Sequence, residues 1–219
     1  MIVPACLFFI NTFARGKMPD LNTIIYALGF GLLAYLSGSL TPSIWITRLI
    51  KGVDVRASGS GHATTTNTIR QAGFGAGALV FFIDVAKGFV PTWLAVQYAP
   101  AAWIIPLTAG MAVVGHCWPI FANFRGGMGL AAAGGGALAV SPLGFLICVA
   151  ILIVLMLLIK HSAKATVATG LLITPILWLF GLRGTIIGLA AVSGSIIAFR
   201  FLIDWNRKYR ELWLDREKK

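Results

Sequence analysis

The sequence predicts an all-α, polytopic membrane protein with about seven transmembrane helices. Two observations support this prediction: 58% of the 219 residues are hydrophobic, and only 11% are charged. The mean hydropathy of +0.86 also lies far outside the composition of soluble domains. Such a chain is expected to use the bilayer as its solvent.

The number of spans follows from segment lengths, because a helix needs roughly 20 apolar residues to cross about 30 Å of hydrocarbon. The fourth predicted segment is short and rich in Gly and Ala, so we expect a half-span or a helix packed tightly among its neighbours. The seven predicted segments are 22–46, 73–98, 101–120, 127–140, 143–159, 166–182 and 185–203.

Lys and Arg residues predict the orientation, since they concentrate in cytoplasmic loops. With the N-terminus outside and the C-terminus cytoplasmic, 14 of the 18 cations fall on the inner side. Arg15, Lys17 and Arg183 fall outside, and Lys87 lies within a span. The inner cations are Arg48, Lys51, Arg56, Arg70, Arg125, Lys160, Lys164, Arg200, Arg207, Lys208, Arg210, Arg216, Lys218 and Lys219.

One integral membrane domain is predicted over residues 21–219, after an N-terminal extension over residues 1–20. The extension lacks the pattern of a signal peptide, because Arg15 and Lys17 follow its apolar run instead of preceding it. The net charge of +11 reflects the topology and a basic cytoplasmic C-terminal tail suited to anionic membrane lipid. Without a soluble basic domain, we predict no nucleic-acid partner. The three cysteines form no CxxC pair, so no disulfide framework is expected.

A glycine-rich run at residues 58–70 (SGSGHATTTNTIR) interrupts the apolar sequence. Glycine lets main-chain N–H groups converge on an anion, and Ser, Thr, Asn and Arg add side-chain donors. The run therefore predicts a phosphate cradle; the alternative is a flexible loop capped by Thr or Asn before the next helix. It lacks the Lys of a Walker loop and the preceding strand of a dinucleotide fingerprint.

A second run, residues 115–129 (GHCWPIFANFRGGMG), lies on the same predicted face of the membrane. Trp118, Phe121 and Phe124 suit the lipid headgroup region. His116 is either a helix cap or interfacial residue without a site role, or a site residue that donates to an anion or organises the other loop. Arg125 leads into closely spaced glycines, which beside the first run indicates a shared anion site.

Asp84 and Lys87 are ionisable residues inside the second predicted span, three positions apart and therefore on one helix face. Charges within a span are costly and usually functional or structural hubs. Two interpretations remain open: the pair neutralises itself and orients the helix, or Lys87 adds positive potential to a cavity behind the loops.

Taken together, these residues resemble the PlsY family of bacterial membrane acyltransferases, which transfer an acyl group from acyl phosphate to glycerol 3-phosphate. The similarity covers residues 35–129 with ungapped spacing. Its motifs correspond to Gly38, Ser39 and Leu40; Asp54, Val55 and Arg56; Gly59, Ser60, Gly61, Thr66, Asn67 and Arg70; Asp84, Lys87 and Gly88; and Gly115, His116, Pro119, Phe121, Phe124, Arg125, Gly126, Gly127 and Gly129.

The resemblance implies an enzyme of the cell membrane that forms lysophosphatidic acid, with its active site on the cytoplasmic face and without cofactor or metal. It implies three catalytic residues, Ser39, Asn67 and His116. The implied substrate-binding residues are Arg56, Gly59, Ser60, Gly61, Thr66, Arg70, Lys87, Arg125, Gly126, Gly127 and Gly129. Arg125 and the glycines of the second run, together with His116, are assigned to the donor phosphate.

The sequence departs from the family pattern at several positions. His62 stands where the family has Asn, Thr64 where it has Gly, and Met128 where it has Lys. A C-terminal element of the family is matched only by Phe199, Arg200, Leu202 and Ile203, without its His and Asn. These departures motivate one alternative, a catalytically inactive paralogue that binds lipid or regulates an acyltransferase.

Other chemistries fit the residues less well. A transporter of a phosphorylated solute would favour broken helices in inverted repeats, which the sequence does not display. A Ser-His-Asp triad would need Ser39 or Ser60 with His116 and Asp84. Position five after each His is never acidic, which excludes the HxxxxD acyltransferases. The set His62, His116 and Cys117 lacks the spacing of zinc ligands.

Overall fold

The computed structural model describes residues 19–205, and all of their regular elements are helices. The predicted all-α class is confirmed. The helices are α1 (Leu21–Gly38), α2 (Pro42–Lys51), α3 (Thr65–Ala72), α4 (Phe74–Tyr98), α5 (Ile104–Cys117), α6 (Leu130–Val140), α7 (Pro142–Ile159), α8 (Ser162–Leu179) and α9 (Thr185–Ile203), with 3-10 turns at Val55–Ala57 and Ile120–Ala122. Residues 1–18 of the predicted extension and residues 206–219 of the basic tail lie outside the described range.

Within residues 19–205, six stretches are long and apolar enough to cross a membrane. They coincide with six of the seven predicted spans, and the protein is a multi-pass membrane protein. The six are Leu21–Lys51, Phe74–Tyr98, Ile104–Ala122, Pro142–Ile159, Ser162–Leu179 and Thr185–Ile203.

The predicted fourth span, 127–140, is shorter in the structure. Its helix α6 has 11 residues, which at 1.5 Å per residue measures about 16 Å, roughly half of the hydrocarbon thickness. The helix begins only at Leu130 because Gly129 adopts a left-handed conformation with φ of 86°. The glycines before it form a loop instead of helix, so the expectation of a half-span describes α6 better than a full span does.

The first span is also interrupted, because α1 ends at Gly38 and α2 begins at Pro42. Proline is favoured in the first turn of a helix, where no main-chain donor is needed. The break leaves the Leu40 carbonyl without a helical partner, and the Lys87 ammonium donates to it at 2.7 Å. One buried cation of α4 thus fixes the junction of α1 and α2.

Helices α4 and α6 approach closely through glycine. A side chain at Gly88 of α4 would collide with the main chain of Ala132, and one at Gly135 of α6 would collide with the main chain of Val85. Small residues promote packing between membrane helices in this way, since no hydrophobic effect drives them together in lipid. By contrast, only 6% of the span of α7 is buried, so α7 lies on the outside of the helix bundle.

We expect Gly88→Ala to lower the thermal midpoint of the purified protein in detergent. The added methyl group forces α4 away from α6, and overpacking of this kind costs about 1–3 kcal/mol. Gly29→Ala in α1 is the matched control, because no atom lies within 4 Å of the position that its Cβ would occupy. Equal midpoints for the two variants would contradict the close contact.

Candidate functional site

A cavity of about 610 Å³ lies where α3, α4, the end of α5 and the end of α9 meet the two interhelical loops. We define loop 1 as residues 52–64, between α2 and α3, and loop 2 as residues 118–129, between α5 and α6. The polar lining is Ser60, His62, Thr64, Thr65, Thr66, Arg70, Asp84, His116 and Ser162; the rest is Ile69, Phe74, Phe81, Met128, Gly129, Leu130, Ala131, Met156 and Phe201.

The structure brings only part of the predicted site to this cavity. The predicted residues that line it are Ser60, Thr66, Arg70, His116 and Gly129. Those that do not are Ser39, Asn67, Arg56, Gly59, Gly61, Lys87, Arg125, Gly126 and Gly127. Lining residues outside the predicted set include His62 and Met128, which the sequence marked only as departures from the family pattern.

The side chain of Asn67 holds the main chain of loop 1 in place and does not line the cavity. Its side chain is fully buried, and its amide nitrogen donates to the carbonyls of Val55 at 2.7 Å, Ser58 at 3.1 Å and His62 at 3.1 Å. Its amide oxygen accepts from the Ser60 N–H at 3.3 Å. These contacts use the donors that a substrate would need. Asn67 therefore shapes the loop, whereas the sequence predicts it beside the substrate.

Loop 1 reverses at Gly59, where φ is 62° and a side chain would strike the amide oxygen of Asn67.

Ser39 is a second predicted catalytic residue that the structure places away from the cavity. It is fully buried, and its hydroxyl accepts from the Ile120 N–H at 3.4 Å. Ser39 thus supports loop 2.

Arg56 joins the two loops. Its guanidinium binds the Asp54 carboxylate through two contacts, 3.0 Å from Nε and 2.7 Å from Nη2. Its Nη1 donates across to loop 2, to the carbonyls of Ala122 at 2.9 Å and Arg125 at 3.2 Å. Hydrogen bonds from this guanidinium hold the pKa of Asp54 at about 2, and the same contact raises the pKa of Arg56.

The predicted arginines therefore do not act together on the cavity. Arg56 is engaged with protein groups, the Arg125 side chain is exposed, and only Arg70 lines the cavity. The guanidinium of Arg70 makes no ion pair or hydrogen bond with any residue in the described range. Of the predicted arginines, it is the one that lines the cavity with its guanidinium available to an anionic ligand.

The glycines of loop 2 also differ from expectation. The N–H of Gly126 donates to the Cys117 carbonyl at 3.3 Å, and that of Gly127 donates to the His116 carbonyl at 3.0 Å. These donors are engaged within the protein and do not form an anion cradle. A side chain at Gly127 would strike the His116 ring, so these glycines allow loop 2 to pack against that imidazole.

His116, Asp84 and Lys87 form a buried polar cluster between α4 and α5. Lys87 Nζ lies 2.8 Å from Asp84 Oδ1, and His116 Nδ1 lies 3.6 Å from the same oxygen. His116 and Asp84 line the cavity, whereas Lys87 is turned toward the Leu40 carbonyl. Because Lys87 contacts Asp84 and the Leu40 carbonyl and does not line the cavity, the geometry favours the interpretation that the two charges neutralise each other. Removal of one partner would leave the other charge buried and unpaired, which strongly destabilises a protein.

Arg200 connects the two loops, although the sequence indicated it only as an inner-side cation and as part of the incomplete match to the C-terminal element of the family. This nearly buried residue of α9 donates from Nε to the Gly127 carbonyl of loop 2 at 3.3 Å. Its Nη2 lies 3.2 Å from Nδ1 of His62 in loop 1. A cation near the end of an apolar helix was the available signal, but topology alone explains such a residue.

The helical spans and the cavity define a multi-pass membrane protein whose candidate site is built from two interhelical loops. Residues 28–211 match the family model described as glycerol-3-phosphate acyltransferase. The glycerol-3-phosphate acyltransferase of Aquifex aeolicus is 35% identical over 182 residues, which cover 83% of this chain and 94% of that relative. The enzyme of the same name from Klebsiella pneumoniae is 33% identical over 200 residues, 88% of this chain and 95% of the relative.

Solved structures agree with these relatives. A crystal structure of PlsY, an integral membrane glycerol 3-phosphate acyltransferase in its glycerol 3-phosphate form, has a TM-score of 0.73 and 35% identity, covering 83% of this chain and 90% of that one. The lysophosphatidic acid form has a TM-score of 0.71. The chain belongs to the PlsY family of glycerol-3-phosphate acyltransferases. It is a membrane acyltransferase, as the motifs predict.

The Asp54–Arg56 contact is expected to make stability depend on pH. The pKa of Asp54 in the folded protein, about 2, lies below the value of about 3.9 in an unfolded chain. Its stabilising contribution is therefore complete above about pH 4 and is lost as the pH falls toward about 2.

We expect Asp54→Asn to lower the thermal midpoint in detergent at about pH 6, and the difference from the wild type to shrink as the pH falls from about 4 to about 2.5. A difference that stays constant over this range would contradict the contact.

Proposed function

We propose that this chain transfers an acyl group from acyl phosphate to glycerol 3-phosphate and gives lysophosphatidic acid and inorganic phosphate. Its membership of the acyltransferase family supports the acceptor and the product, since relatives were solved in glycerol 3-phosphate and lysophosphatidic acid forms. The observation that carries the proposal is that the cavity lining combines hydroxyl and guanidinium groups from residues 60–70, here called the polar side, with aromatic and aliphatic side chains of other helices, here called the apolar side. An acyl phosphate has the same two parts.

The polar side is the phosphate end of the proposed site. Thr64 is the N-cap of α3, and its side chain accepts from the Asn67 N–H. Thr65 and Thr66 follow in the first turn and line the cavity, where helix N-termini attract anions. Arg70 lies in the same helix, and its guanidinium is available to a phosphate as a charge-assisted, bidentate donor.

The apolar side is the acyl-chain end. Phe74 and Phe81 of α4, Met156 of α7 and Phe201 of α9 line it. Met128 belongs to the same surface and packs against the core residues of α5, α8 and α9. An aliphatic chain removed from water gains about 0.8 kcal/mol for each buried methylene. Met128 in this interpretation contacts the hydrocarbon chain rather than a phosphate.

The proposed reaction is a direct transfer. A hydroxyl oxygen of glycerol 3-phosphate bonds to the acyl carbon, the bond from that carbon to the phosphate oxygen breaks, and the hydroxyl proton is transferred to the departing phosphate. No acyl-enzyme forms, so the protein contributes charge neutralisation and positioning. His116, whose Nδ1 is buried without a hydrogen-bond partner among the described residues, is the proposed donor to the oxygen that gains charge.

The protein is proposed to reside in the cell membrane with the cavity and both loops on the cytoplasmic side and the N-terminus outside. The distribution of Lys and Arg supports this orientation. It places the anionic, water-soluble acceptor on the side of the membrane where the positive loops lie. Ser39 and Asn67 contribute to this site by holding loops 2 and 1, respectively.

Arg70→Gln is expected to reduce kcat/KM by about 10- to 100-fold, because a hydrogen bond to a charged group contributes about 1.5–3 kcal/mol. The measurement is phosphate release from purified protein in lipid, supplied with acyl phosphate and glycerol 3-phosphate. Lys51→Gln is the control, since Lys51 is exposed at the end of α2. Full turnover by Arg70→Gln would refute this site assignment. Absence of release by the wild type, with glycerol 3-phosphate and with other hydroxyl acceptors, would refute the function and favour the inactive paralogue.

The orientation is tested by single cysteines in a background with Cys6, Cys117 and Cys148 replaced. We expect a cysteine at Val53, in loop 1, to react with a membrane-impermeant maleimide only after the cells are opened. One at Arg183, between α8 and α9, is expected to react in intact cells. The reverse labelling pattern would refute the cytoplasmic placement of the site.

A further inference from the structure

Three side chains outside the predicted site meet at the C-terminal end of α9. His62 comes from loop 1, Arg200 from the last turn of α9, and Asp204 from the position that ends this helix. His62 Nε2 lies 2.9 Å from Asp204 Oδ2, and Arg200 Nη1 lies 3.1 Å from the same oxygen. The side chains of all three are no more than 11% exposed.

The geometry determines the protonation of the His62 ring. Arg200 Nη2 lies 3.2 Å from His62 Nδ1, and a guanidinium offers only donors, so Nδ1 must accept. The ring proton therefore resides on Nε2, from which it is donated to the Asp204 carboxylate. Both ring nitrogens are engaged, and the ring is neutral with one fixed tautomer.

Arg200 extends this contact to the second loop, because its Nε donates to the Gly127 carbonyl at 3.3 Å. Gly127 packs against the His116 ring, and the next residue, Met128, lines the cavity. A single guanidinium of α9 therefore contacts loop 1 through His62 and loop 2 through Gly127. Arg200 thus adds a second side-chain link between the two loops, beside that of Arg56 and the Ala63 N–H that donates to the Gly126 carbonyl at 3.3 Å.

We propose that His62, Arg200 and Asp204 form a latch in which Arg200 is a positioning residue that fixes loops 1 and 2 against each other for acyl transfer. His62 and Asp204 orient the guanidinium; His62 is a component of the latch and not an acid or base. The latch acts on the proposed function, because a shift of loop 2 moves Met128 on the apolar side of the cavity and loosens the packing of Gly127 on the His116 ring.

The kinetic test uses palmitoyl phosphate and glycerol 3-phosphate with purified full-length protein. We expect Arg200→Met and His62→Ala each to reduce kcat/KM at least tenfold. The kcat/KM of the double variant is expected to lie within threefold of that of the less active single variant, because both substitutions remove contacts of the same latch. His62→Asn restores activity to within threefold of the wild type, since its amide oxygen takes the place of Nδ1. Arg183→Met, at the other end of α9, stays within twofold.

The pH profile separates the latch from catalysis by His62. We expect kcat/KM of His62→Asn to keep the pH dependence of the wild type. Loss of the acidic limb in this variant would overturn the assignment by showing that His62 is a base. Wild-type kinetics in Arg200→Met, with an unchanged thermal midpoint, would also overturn it.

A spectroscopic measurement tests the latch without turnover. Nitrogen-15 spectra of the histidine rings are expected to show His62, assigned by its loss in His62→Asn, as the Nε2–H tautomer, and Asp204→Asn is expected to give a mixture. A charged ring or the other tautomer in the wild type would refute the latch. Absence of wild-type turnover would instead refute the proposed function, and the spectra would still decide the latch.

Discussion

The main-chain carbonyls of two loops beside a membrane bundle have no strand or helix to bind them, and the site depends on how they are satisfied. Irregular backbone among membrane helices is tolerated only where the protein supplies hydrogen-bond partners for it. Asn67 supplies them within loop 1, and Arg56 supplies them to loop 2. Polar side chains thus replace the secondary structure that would otherwise hold these segments.

The same requirement explains why so many conspicuous cations lie away from the ligand. A guanidinium that binds two carbonyls and a carboxylate has few donors left, and Arg56 is in that position. Lys87 satisfies both Asp84 and the open carbonyl at the break before α2. In a low-dielectric surrounding, these cations are retained because removal of one would leave its partner charge or carbonyl unpaired. Arg70 differs because no described group neutralises it.

The membrane class, most helices and the joining of two loops could be predicted from the sequence, because apolar length and charge position are local properties. The roles of individual side chains within the loops could not be predicted. Asn67 and Arg70 occur in one run and look alike as donors, but the fold turns one toward main-chain carbonyls and the other toward the cavity. A half-span was one of the two expectations for α6, but its start depends on a left-handed Gly129. The meeting of His62 with Arg200 crosses 138 positions of the chain, beyond any local pattern.

The division of the cavity lining between chain segments has a consequence for how such an enzyme can diversify. Four of the five lining hydroxyl groups and the lining guanidinium come from residues 60–70, whereas the aromatic and thioether groups of the apolar side come from α4, α7, α9 and the end of loop 2. Recognition of the phosphate group and selection of the acyl-chain length therefore depend largely on separate segments of the sequence. Each preference can drift or be engineered while the other is kept.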